Sequence, residues 1–106
     1  MLARLERDGS IAAPTAPLLD DSDAEIRAQA AKVLGESGVL AAVPAIERQL
    51  TDESPRARYF AAMALGKLSA LESTPAIVAM LAENDGADVF LRHAGVHALA
   101  AIGDRV

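Results

Sequence analysis

The stretch from Asp23 to Leu50 is written twice in this chain. Setting Asp23 under Ser54 pairs Arg27 with Arg58, Ala30-Ala31 with Ala61-Ala62, and Leu34-Gly35 with Leu65-Gly66, then Pro44 with Pro75, Ile46 with Ile77 and Leu50 with Leu81. Every pair is separated by 31 residues. Self-similarity at this period marks an array in which each unit buries its apolar face on its neighbours, so the repeat limits the fold before any motif is considered. A third copy opens late, because Asn84-Asp85-Gly86 reads as a three-residue insertion. With that shift Asp88 falls under Ser54, Leu91 under Ala57, Arg92 under Arg58, Leu99 under Leu65 and Ile102 under Leu68.

Each copy predicts two helices. The first is capped by Asp23, carries Glu25 in its first turn where the helix dipole favours an acid, and closes at Gly35 and Gly38. Its spacing predicts an inward face of Ile26, Ala30, Val33, Leu34 and Ser37, repeated as Ala57, Ala61, Ala64, Leu65 and Leu68. The second helix runs from about Ala41 to Leu50, with Val43, Ile46 and Leu50 inward, Glu47, Arg48 and Gln49 outward, and Pro44 in its first turn. In the next copy Thr74 is expected to cap and Pro75 to open a helix reaching about Leu81. Alanine is the commonest residue and only 3% of the chain is aromatic, so neighbouring helices must approach closely over small side chains. Before the first full copy, Leu2 and Leu5 predict a short helical turn, the remnant of a preceding repeat. Pro14 and Pro17 leave room for one more turn, with Thr15 as cap and Leu18-Leu19 inward.

The reading is therefore one all-α domain over 1–106, a right-handed α-solenoid of about two and a half helix pairs. It divides into a partial repeat 1–22, repeats 23–53 and 54–87, and a half repeat 88–106. The expected core is Ile26, Val33, Leu34, Ile46, Leu50, Leu65, Leu68, Ile77, Leu81, Leu99 and Ile102, with Val96, Leu99 and Ile102 lacking a second helix to cover them.

A period near 31, an Asp before the first helix, an Arg four positions after its cap, AAxxLG, and a proline opening the second helix together resemble the HEAT-repeat family. The likeness runs from about Leu18 to Asp104 and is strongest to the short bacterial form called HEAT-like or bilin-lyase-type repeats. The phrase LAENDGADVFLRHAGVHALAAIGD is also similar to the HEAT segment of large bacterial multi-domain dehydrogenase-like proteins that carry a propeller and a c-type haem domain. No CxxCH is present, so haem chemistry of that kind would belong to another part of a parent chain. The resemblance implies a structural ladder of Arg27, Arg58 and Arg92, pairing with the acids before each helix, Asp21 and Asp52. A planar guanidinium suits such bridging, and the role expected is repeat-to-repeat register. In the third copy Gly86 stands where the acid is expected, so Arg92 is paired differently.

His93 and His97, at i and i+4, are a candidate metal pair, with an exposed histidine pair as the plainer reading. Tyr59, Phe60 and Met63 replace Ala28, Gln29 and Lys32 of the first copy, and Val78, Ala79 and Met80 replace Glu47, Arg48 and Gln49. Tyr59, Phe60, Met63, Val78 and Met80 thus form a candidate partner surface, set against ordinary packing for the first three. The acidic runs Asp20 to Asp23 and Asp52-Glu53 fit helix caps better than calcium ligands or catalytic carboxylates. There is no cysteine, glycine-rich phosphate loop or GxSxG elbow.

These features predict a non-catalytic protein–protein interaction or scaffold module, a segment of a larger protein, with no cofactor. Its partners would be other domains of a parent chain or another subunit, bound through the second-helix face, with homo-oligomers through open solenoid ends as a further mode. The alternative is an accessory domain of an enzyme, either bilin-lyase-like or a multi-domain redox protein with its chemistry elsewhere. A net charge of −5 and no clustered Lys/Arg face argue against nucleic acid. The absence of a membrane-length apolar run or a signal-peptide core predicts a soluble chain and leaves its compartment open.

Overall fold

In the computed structural model, which describes residues 16–105, the first helix of each unit starts where a short polar side chain precedes an apolar run. The turn expected over Met1–Asp8 and the Thr15 cap lie outside the described residues. Helix α1 (Ala24–Glu36) begins after Asp23, whose carboxylate accepts from the Glu25 amide at 2.8 Å. Helix α3 (Pro55–Lys67) begins after Ser54, whose hydroxyl oxygen accepts from the Ala57 amide at 3.2 Å. Helix α5 (Val89–Arg105) begins after Asp88, which accepts from the amides of Phe90 and Leu91 at 2.9 and 3.2 Å. Each cap satisfies amides that have no partner inside the first helical turn.

The second helices are α2 (Val43–Arg48), between single 3-10 turns at Leu40–Ala42 and Gln49–Thr51, and α4 (Thr74–Asn84), after a 3-10 turn at Leu71–Ser73. Another 3-10 turn spans Ala16–Asp20. Thr74 does not cap α4. The preceding 3-10 turn brings Ser73 in at φ −90, ψ 0, so no extended residue is present from which a side chain could reach back over the first turn. The Thr74 hydroxyl is buried without a partner, and the Ser73 hydroxyl donates instead to Glu47 at 2.8 Å.

Helix α4 runs three residues past the expected Leu81 and stops at Asn84, where Asp85 and Gly86 turn left-handed at φ 47 and φ 77. The Asn84 side chain clamps the next cap, donating to the Asp88 carbonyl and accepting from the Asp88 amide, both at 3.0 Å. The insertion is thus a tied corner between helices.

Helices α1, α3 and α5 stand side by side in one layer, while α2 packs on α3 and α4 on α5 in the other. This is an α-solenoid, and its first layer is interlocked through residues without bulk. A β-carbon added at Gly35 would lie 2.7 Å from the Ala64 β-carbon, and one at Gly66 would lie 3.0 Å from the Ala98 α-carbon. The core joins Leu34, Ile46, Leu50, Leu65, Leu68, Ile77 and Ile102, as expected, to a set of alanines including Ala31, Ala61 and Ala62.

Two expected core residues are not in it. Ile26 and Val33 are each 38% exposed. Their equivalents, Ala57 and Ala64 in α3 and Leu91 and Ala98 in α5, are buried, and Ala64 and Ala98 lie against the preceding first helix. Ile26 and Val33 therefore mark the stripe that a first helix turns toward its predecessor, and α1 is the first of the described row. The stripe of α1 that meets α3 is Ala28, Ala31 and Gly35. A helix inside a row buries two stripes, whereas the spacing argument assigned only one. Leu18 is likewise 39% exposed while Leu19 is buried, Leu81 and Leu99 are half-buried, and Val96 is exposed. Gln49, expected outward, is buried and donates to the Ala57 carbonyl at 3.0 Å, tying the turn after α2 to α3.

Candidate interaction surface

Arg27 leaves α1 toward the following unit. Its Nε and Nη2 donate to the two carboxylate oxygens of Asp52 at 2.7 and 2.9 Å, and its Nη1 donates to the Asp21 backbone carbonyl at 2.8 Å. The pairing is bidentate and largely shielded from water. Asp52 also accepts from the Ser54 amide at 2.8 Å. The Arg27 guanidinium, with the Ser54 amide behind it, holds the Asp52 carboxyl below the usual carboxylate range against the opposing effect of burial.

The contact differs from the expected one. Asp21, six residues before Arg27, offers its carbonyl only, and the carboxylate comes from the next unit. Arg58 should then find its acid at the position equivalent to Asp52, which is Gly86. Its Nε is buried without a hydrogen-bond partner, and among the described residues it makes no ion pair. Arg92 is exposed on α5. One rung of this kind stands where Asp21 and Asp52 were expected to give two, because Asp52 is taken by Arg27 and Gly86 has no side chain to offer Arg58.

His93 and His97 are both exposed on α5, with rings stacked at 5.9 Å between centroids and 18° between planes. No group of three metal-ligating side chains occurs among the described residues.

Tyr59, Phe60 and Met63 are half-buried on α3 and pack against the core. Tyr59 meets Phe60 edge-on, with centroids 5.1 Å apart, and the Arg56 guanidinium lies over the Phe60 face at 5.0 Å while pairing with Glu25. Across from them, at the start of α5, Phe90 is 71% exposed. Together with Pro55 and Asp88 these side chains line an open groove of about 470 Å³ between the N-terminal ends of α3 and α5. Tyr59, Phe60 and Phe90 are the chain's only aromatic residues, so all of them meet in this groove. Phe90 and Arg56 were missed by sequence reasoning. The repeat alignment held a signal, since it sets Phe90 under Arg56 and so swaps a charge for an aromatic ring at an outer position.

The apolar set on α4 splits. Val78 is 48% exposed, but Met80 is buried and does not belong to a partner surface. Met80 lies three residues after Ile77 on the inner stripe, where it faces Leu50 across a cleft of about 460 Å³ edged by Glu47, Arg48 and Glu83.

Among the described residues no helix is long and apolar enough to cross a membrane. A search among curated proteins finds no match. The family model of HEAT repeats matches residues 12–100, nearly the whole chain, in agreement with the paired helices and the two-layer stack, and the chain belongs to the HEAT-repeat family.

Proposed function

We propose that this chain is a non-catalytic interaction module, made of the repeat units 23–53, 54–87 and 88–106, that holds a protein partner in the groove of Tyr59, Phe60 and Phe90. HEAT repeats generally mediate protein–protein contacts, and the observation that carries the finer reading is the gathering of every aromatic side chain at one surface. A core built on alanine needs no such ring on its outside, and Phe90 at 71% exposure makes the groove an apolar surface in contact with water. Aromatic and arginine side chains are the types that dominate binding energy at protein interfaces, and Arg56 is already fixed there by Phe60 and Glu25. The second-helix face offers less, with Met80 turned inward. The net charge of −5 supports a protein rather than a nucleic-acid partner. Whether the partner is another domain of a longer protein or a separate subunit, the chemistry asked of it is an apolar anchor with polar surroundings.

The experiment is photo-crosslinking from positions beside the groove and beside Val78, with and without Phe90→Ser. The reading expects a discrete crosslinked partner at the groove that disappears with Phe90→Ser and persists with Val78→Ser. Crosslinks that follow Val78 and ignore Phe90 would move the binding surface to the second-helix layer.

A further inference from the structure

We propose that one partner of this chain is a second copy of itself, stacked head to tail, with α5 of one copy against α1 of the next and an ion pair between Arg92 and Asp21 of the second copy. The proposal rests on the reading of the chain as an interaction module and adds a second surface to it.

The repeat itself supplies the pairing. Within the chain, the arginine of one unit bridges to the aspartate that introduces the next, as Arg27 does to Asp52. The donor equivalent to Arg27 at the far end is Arg92, on an exposed face of α5. The acceptor equivalent to Asp52 at the near end is Asp21, built the same way. The Asp52 amide donates to the Gln49 carbonyl at 3.0 Å and its carboxylate accepts from the Ser54 amide at 2.8 Å. The Asp21 amide donates to the Leu18 carbonyl at 3.1 Å and its carboxylate accepts from the Asp23 amide at 2.8 Å. Among the described residues neither Arg92 nor the Asp21 carboxylate takes part in an ion pair. Arg58, the donor of the middle unit, has Gly86 in the place of its acid and keeps its Nε buried, so among the described residues Arg92 and Asp21 are the donor and the acceptor of this kind left on the outer faces of the row.

The apolar surfaces match in the same sense. Ala28, Ala31 and Gly35 share a buried stripe of α1 on which Gly35 lies against Ala64 of the following helix, and their equivalents on α5, His93, Val96 and Ala100, are exposed. The stripe that would cover them is that of Ile26 and Val33 on α1, which is part-exposed while its equivalents on α3 and α5 are buried. Such a contact is heterologous, so it propagates into chains of copies rather than closing as a two-fold dimer.

Sedimentation over a concentration series, at low salt, tests it. The wild-type chain is expected to show a mass average that climbs with concentration beyond a dimer. Arg92→Asp alone and Asp21→Arg alone each weaken association about tenfold or more, since each places like charges across the contact. An equimolar mixture of the two variants recovers it, because each then meets an opposite charge in the other. Ala100→Glu, on the exposed apolar stripe, also abolishes stacking, and circular dichroism melts establish that each variant is folded. Phe90→Ser leaves the stacking unchanged, which separates this contact from the aromatic groove. A wild-type chain that stays monomeric throughout, association that survives Arg92→Asp, or a mixture that fails to recover would overturn the proposal.

Discussion

The junction between α1 and α3 and the junction between α3 and α5 are copies of one close helix contact, and the first carries ion pairs that, among the described residues, the second lacks. At the first, Gly35 admits Ala64 and Arg27 bridges to Asp52. At the second, Gly66 admits Ala98, but Gly86 replaces the acid and the Arg58 Nε is buried without a partner. The row of helices nevertheless continues through both. The close approach of small residues is therefore the part that builds the stack, and the ion pairs, of which Arg27–Asp52 is the shielded one, are additions at one joint. This agrees with general energetics: a shielded pair recovers in attraction roughly what desolvation takes away, while dispersion and apolar burial act at every contact.

Substitutions at the two junctions separate helix contact from ion pairing. The largest effect is expected at Leu65, fully buried on the helix shared by both junctions, where Leu65→Ala should cost about 2–5 kcal/mol in urea unfolding. Next comes Gly66→Ala, whose new methyl would press on the Ala98 backbone and should cost about 1–3 kcal/mol. Its control is Gly103→Ala, in open space on α5, which should leave stability unchanged or raise it by up to about 1 kcal/mol through helix propensity. Equal behaviour of the two glycines would remove the interlock from the account.

Smaller again is the ion pair. Because the Arg27 bridge lowers the Asp52 carboxyl pKa in the folded chain, its contribution is fully present above the unfolded value of about 4 and is lost as pH falls through the folded value. Acid titration of the melting temperature should thus be shallower in that window for Asp52→Asn than for the parent chain. Smallest is Gly86→Asp, which offers Arg58 an acid but forces a side chain onto a φ of +77. The two effects oppose, and the melting temperature should move by less than it does for Asp52→Asn.

Much of this was legible in the sequence. The 31-residue period, the caps at Asp23, Ser54 and Asp88 and the buried Leu34, Ile46, Leu65 and Ile77 follow from local rules that the tertiary structure does not override. What was not legible came from relations between units. Ile26 and Val33 carry a core pattern, yet α1 is the first helix of the described row, and no earlier first helix among the described residues covers their stripe. Asp21 is nearer to Arg27 in the chain than Asp52 is, but its carboxylate accepts from the Asp23 amide while Asp52 meets Arg27 from the next unit, a relation that sequence distance does not carry. The aromatic groove joins two helices whose lining residues lie about one repeat apart. Only the alignment of Phe90 with Arg56 hinted at it, and a single substitution in an outer position has no unique reading. Met80 was placed outward because its counterpart Gln49 is polar. Gln49 is itself buried, held by its bond to the Ala57 carbonyl, so both residues of the pair face inward.

The most direct test of the claim that helix contact outranks the ion pair is to measure urea unfolding of Gly35→Ala and Asp52→Asn side by side, since both residues act at the same junction. Gly35→Ala would push a methyl to within 2.8 Å of the Ala64 α-carbon, which only a shift of backbone can relieve. The account predicts that its unfolding midpoint falls further than that of Asp52→Asn, which should lose on the order of 1 kcal/mol. A midpoint lowered more by Asp52→Asn than by Gly35→Ala would contradict it.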